Sequence, residues 1–90
     1  MRARRLLISG IVQGVGFRYF TRRAARALGI VGWVRNLRDG RVEAVASGPE
    51  DSLRDFIEQL RTGPGGAKVN GVAIDETDLE PEVREFEIRH

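Results

Sequence analysis

The stretch Ser9–Gly29, SGIVQGVGFRYFTRRAARALG, contains the change of period that decides the fold. From Arg4 to Val12 the apolar residues alternate. Leu6, Ile8 and Val12 fall on one face and Leu7 and Ile11 on the other, which is the period of a strand. From Phe17 the spacing turns helical, through Phe20, Ala24 and Leu28, with Ala25 and Ala27 in support. Gly29 reads as the C-terminal cap of that helix. Two glycines, Gly14 and Gly16, and an arginine, Arg18, stand at the junction. The junction has two readings. It is a tight turn with a solvated arginine, or it is a pocket for an anion.

Further along, Ile30 to Asn36 forms a second strand with Trp33 and Val34. The turn NLRDGR has Asp39-Gly40 at its tip, and Arg41 to Ser47 alternates through Val42, Ala44 and Ala46, so the pair reads as a hairpin. Pro49 fits the first turn of a second helix, Glu50 and Asp51 suit its positive end, and Arg61 suits the other end. Leu53, Phe56, Ile57 and Leu60 make its one apolar face, and Gly63-Pro64 stops it. KVNGVAIDE reads as a strand bulged at Gly71, because Val69 and Val72 have opposite parity. A short last strand in REFEIR turns Phe86 and Ile88 inward. The order βαββαβ plus a terminal strand predicts an α+β, ferredoxin-like sandwich. Its two helices are expected on one face of an antiparallel sheet, with the other face left to solvent.

A chain of 90 residues has room for one core, so residues 1–90 are expected to form one domain. A hydrophobic fraction of 41% and a charged fraction of 31% belong to a folded rather than a disordered chain. No apolar run is long enough to span a bilayer, and Ser9, Gly10 and Gln13 interrupt the signal-like N-terminus. Cysteine is absent, which removes disulfides, thiol nucleophiles and thiolate metal sites and makes the cytoplasm the default compartment. Net charge is only +2, yet all but one of the 15 basic residues are arginine, the side chain that forks onto oxyanions. GC-rich codon usage would produce the same bias.

Backbone N–H groups at the start of a helix are unpaired and carry partial positive charge. Glycines let them converge on an anion that meets no Cβ. The motif is not a P-loop or a dinucleotide-binding turn, since Gly-Lys-Ser/Thr is absent and the glycine spacing differs. In a split βαβ the first and second strands run parallel, so Arg18 and Asn36 are expected at the same end of the sheet. Asn36 also reads as a turn residue chosen for tolerance of unusual backbone angles.

Together, GIVQGVGFRYFTRRAA and GWVRNLRDGRVE resemble the two motifs of the acylphosphatase family, and the likeness runs on through SLRDFIEQLRTGP to the terminal FEIR. The resemblance implies hydrolysis of acyl phosphates. It implies that Arg18 binds the substrate phosphate and that Asn36 positions the attacking water. The backbone of Gln13, Gly14, Val15, Gly16 and Phe17 would cradle the phosphate oxygens. Many members carry a hydroxyl residue after the asparagine, where this chain has Leu37.

The residues agree with that chemistry. His90, the single histidine and last residue, reads as a frayed terminus, and Asp75, Glu76 and Asp78 as a solvated acidic edge, leaving no metal site and no cofactor expected. Arg22, one turn after Arg18, is expected to be solvated. What remains is an anion cradle, a guanidinium and an amide, with no general acid or base. RNA-recognition modules share the element order, and QGVGFRYF partly matches their RNP1 signature. Yet RNP1 belongs on the third strand, and RVEAVAS has no aromatic residue to stack a base. A non-catalytic module of the same fold is the other alternative. The sequence reading is therefore a monomer acting on a small acyl phosphate, with no nucleic acid or membrane partner.

Overall fold

A computed structural model describes all 90 residues, Met1–His90. The elements are β1 (Arg2–Ile11), α1 (Phe17–Ala27), β2 (Val31–Asn36), β3 (Val42–Ser47), α2 (Glu50–Thr62), β4 (Lys68–Asp78) and β5 (Phe86–Ile88). They form the expected ferredoxin-like α+β sandwich, with sheet order β4-β1-β3-β2-β5. Pro49 sits at the N-cap of α2, one residue before the helix. Opposite β1, the β4 register slips between Ser9/Gly71 and Gly10/Val69, so the bulge predicted at Gly71 falls on its neighbour Asn70.

One pairing departs from an antiparallel sheet. β5 lies parallel to β2, and the sheet is mixed. Direction explains it. β4 is antiparallel to β1, and β1 and β2 are both antiparallel to β3. β4 therefore ends where β2 begins, and a chain crossing the sheet at that end must enter β5 running with β2.

Both helices cover the same face. Phe17, Ala24 and Ala25 of α1 and Leu53, Phe56, Ile57 and Leu60 of α2 pack on Leu6, Ile8, Val34, Val42, Ala44 and Ala46. Phe56 meets Phe86 of β5 edge-on, centroids 5.7 Å apart. Thr21 is also fully buried in α1, and its hydroxyl donates to the Phe17 carbonyl at 2.8 Å, so it enters the core without an unpaired polar group.

The opposite face is not left to solvent. β3 is buried along its whole length on both sides. Leu79 and Val83 pack there with Ala3, Val45, Val31 and Trp33. The cause is again topological. The segment after β4 must cross from one sheet edge to the other, about 19 Å at ~4.8 Å per strand. Residues 79–85 reach about 23 Å when extended, so they are long enough to cross the uncovered face, with one turn on the way where the Val83 N–H donates to the Glu80 carbonyl at 3.1 Å.

Glu43 lies on that face with its side chain 5% exposed, and its carboxylate accepts from Arg5 Nε and Arg35 Nε, both at 2.6 Å. Burial pushes its pKa up, but the two guanidiniums outweigh burial and hold the carboxyl below its usual range. A folded-state pKa below the unfolded value means the unfolded chain binds the proton more readily. The stabilisation is therefore present above about pH 4.5 and lost as pH falls through the folded value. Glu43→Gln should cost about 1.5 kcal/mol at pH 7, the low end for charge-assisted bonds because both arginines are partly solvated. That is roughly 6–12 °C in Tm for a domain of this size. In thermal melts followed by circular dichroism the gap from the parent should shrink as pH drops below 4. An equal gap at pH 3 and pH 7 would show that the charge of Glu43 is not what stabilises the sheet.

Candidate active site

The carboxyl ends of β1, β2 and β5 meet at one end of the sheet, where β1 runs into the glycine loop. Gly14 and Gly16 both have φ 78, the left-handed region that favours glycine. A Cβ built on either would meet nothing within 4 Å, so both backbones border open space. That space is a cleft of about 460 Å³ lined by Val12, Gly14, Gly16, Phe17, Arg18, Tyr19, Arg22, Asn36, Ile88 and His90. The structure thus brings Arg18 and Asn36 to one cleft with Gly14, Gly16 and Phe17. Gln13 and Val15 are not in its lining. Val15 packs against the core, and the Gln13 amide donates to the Leu37 carbonyl at 2.7 Å and the Arg41 carbonyl at 2.9 Å.

α1 starts at Phe17, after Gly16 at its N-cap, and no side chain caps it. Its first turn holds no acidic residue, so the positive end of the helix faces the cleft without a competing carboxylate. Arg18 projects from this first turn. Asn36 is the last residue of β2, in register with Val42. No non-glycine residue has positive φ, so unusual backbone angles do not account for an asparagine there. Asn36 Oδ1 is buried and has no hydrogen-bond partner within the protein. Leaving such an acceptor unpaired costs about 1–3 kcal/mol.

Two sequence expectations change. His90 is not a frayed end. The Arg89 N–H donates to the Val34 carbonyl at 2.8 Å, and His90 Nδ1 lies 3.2 Å from Arg18 Nη1. The β2–β5 register pairs Val34 with Ile88, and the same offset two residues on sets His90 beside Asn36. Nothing local in the sequence signals this, because it follows from the parallel pairing of β5. Arg22 is not simply solvated either. It lines the cleft, with its guanidinium 4.8 Å from the centroid of Tyr19. Tyr19 itself is 68% exposed at the rim. At the β2–β3 turn, Arg41 beside Asp39 holds that carboxyl below its usual range.

Two left-handed glycines, two arginines and an asparagine line this cleft with no Asp or Glu among them, on a ferredoxin-like α+β fold. Comparison with known proteins gives the family. The model described as Acylphosphatase matches residues 4–88. The acylphosphatase of Acaryochloris marina is 55% identical over 82 residues, 91% of this chain and 87% of that protein. That of Koribacter versatilis is 47% identical over 85 residues, 94% and 77% of the two chains. The crystal structure of acylphosphatase from Bacillus subtilis superposes with a TM-score of 0.93 at 39% identity, covering 100% of both chains. The chain belongs to the acylphosphatase family. No helix is long and apolar enough to cross a membrane.

Proposed function

We propose that the chain hydrolyses the carboxyl–phosphate bond of small acyl phosphates through Arg18, the glycine-loop backbone and a water held by Asn36. The observation that carries this reading is that Asn36, an amide at the end of β2, lines the same cleft as Gly14, Gly16 and Arg18. The backbone N–H groups of Gly14, Gly16 and Phe17 hold the phosphate oxygens, and Arg18 forks two of them. The Asn36 amide hydrogen-bonds the attacking water and aims its oxygen at phosphorus. The new P–O bond forms as the bond to the acyl oxygen breaks, and the carboxylate leaves with that electron pair. The water's proton passes to a phosphate oxygen. The leaving acid has a pKa of about 4, so no group need protonate it. Positioning and charge stabilisation suffice. Residues 1–90 act as one domain and, in this reading, as a monomer.

The test is release of phosphate from acetyl phosphate, with and without EDTA, beside an alkyl phosphate of similar size. Acetyl phosphate should be hydrolysed at the same rate in both conditions, and inorganic phosphate should compete. The alkyl phosphate should be nearly inert, because an alkoxide is a far poorer leaving group than a carboxylate and positioning with charge stabilisation alone does not make up the difference. Strong inhibition by EDTA, reversed by Mg²⁺ or Zn²⁺, would overturn the reading, as would comparable rates on the two substrates.

A further inference from the structure

Gln13 is the last residue before the glycine loop, and its side chain reaches the β2–β3 turn. One amide NH2 group meets two carbonyls, Leu37 O at 2.7 Å and Arg41 O at 2.9 Å. These carbonyls close the turn. Arg41 O also accepts from the Leu37 N–H at 2.8 Å, and Leu37 O from the Gly40 N–H at 3.2 Å. The amide therefore sits across the mouth of the turn, one residue past Asn36. No other hydrogen bond joins the β1–α1 loop to this turn. Asn36 directly precedes the tied turn, and its own backbone is in register with Val42 of β3.

We infer that Gln13 is a positioning residue that fixes the separation between Asn36 and the phosphate cradle through the turn's backbone. This rests on the reading of Asn36 as the residue that holds the attacking water. Glutamine suits the task. Two carbonyls need two N–H donors on one atom, and a carboxylate of the same shape would repel both. The tie is made to the Leu37 backbone, so it does not depend on the side chain at that position.

Gln13→Leu keeps the bulk and removes both donors. A displacement of the order of 1 Å at a reacting group costs about 10²-fold in rate, so turnover on acetyl phosphate should fall about 10- to 100-fold. The inhibition constant of inorganic phosphate should stay within about twofold, because the cradle is intact. The decisive measurement is a double-mutant cycle with Asn36→Ala, run where circular dichroism shows every variant folded. If Gln13 acts through Asn36, Gln13→Leu should change the turnover of Asn36→Ala by less than about threefold. Gln13→Glu gives an independent readout. Its turnover relative to the parent should recover below about pH 5, where a protonated carboxyl again donates one bond. Additive losses in the cycle, or a phosphate inhibition constant that rises with the loss of turnover, would overturn the proposal. Undiminished turnover in Asn36→Ala alone is a separate result, and it would remove the reading on which the proposal stands.

Discussion

Arg18→Gln should weaken binding of inorganic phosphate at least a hundredfold and carry turnover on acyl phosphates down with it. A charge-assisted hydrogen bond contributes roughly 1.5–3 kcal/mol. Arg18 is placed to make two, and about 1.4 kcal/mol is a factor of ten in affinity. Its position in the first turn of α1, beside the left-handed Gly16, places Arg18 in the lining of the same cleft as the loop glycines. The His90 contact at 3.2 Å engages only Nη1, and no carboxylate pairs with Arg18. Arg18→Lys should restore part of the loss, since an ammonium supplies charge without the fork. Arg22→Gln should cost less, because that guanidinium rests on Tyr19 at the rim. Arg23 is exposed and does not line the cleft, so Arg23→Gln is the control. Isothermal titration with phosphate ranks the four variants. Equal losses in Arg18→Gln and Arg23→Gln would mean that Arg18 contributes only to the general field of α1.

Most of the fold is legible in the sequence because each element has one apolar face with its own period. Leu53, Phe56, Ile57 and Leu60 are the buried residues of α2, as their spacing requires. The switch from Leu6 and Ile8 to Phe17 and Ala24 marks the passage from β1 to α1. Periodicity does not report what crosses a sheet. Leu79 and Val83 lie in a connection with no regular period, and their burial follows from the edge-to-edge step between β4 and β5. Glu43 reads in the sequence as the outward member of an alternating strand. It is buried because β3 is central and the crossing segment covers that face.

The site divides in the same way. Arg18 and the glycines are legible because a chain leaving a strand for a helix needs few residues, and Gly14 and Gly16 mark left-handed backbone. Asn36 is legible only with the topology, which brings the ends of β1 and β2 together. His90 is not legible. Its place beside Arg18 depends on the parallel pairing of β5 with β2, whose partners Val34 and Ile88 lie 54 residues apart in the chain. The side-chain bonds of Gln13 are equally hidden, since a glutamine before a glycine loop carries no sign of which carbonyls it will meet.

Asn36→Ala tests the central claim most directly, because it separates holding the water from binding the phosphate. Asn36 lines the cleft beside Arg18, and the account gives its amide one partner there, the attacking water. Removing one preorganised polar group from a site of this kind costs about 10²–10³ in rate. Alanine removes an acceptor that makes no protein hydrogen bond, so the fold should lose little. The measurement is turnover on acetyl phosphate together with the inhibition constant of inorganic phosphate, at a temperature where circular dichroism shows parent and variant folded. The account predicts a fall in turnover of at least a hundredfold with phosphate affinity nearly unchanged. Full turnover in the folded variant would contradict it, and would leave Arg18 and its loop as an anion site without a catalytic amide.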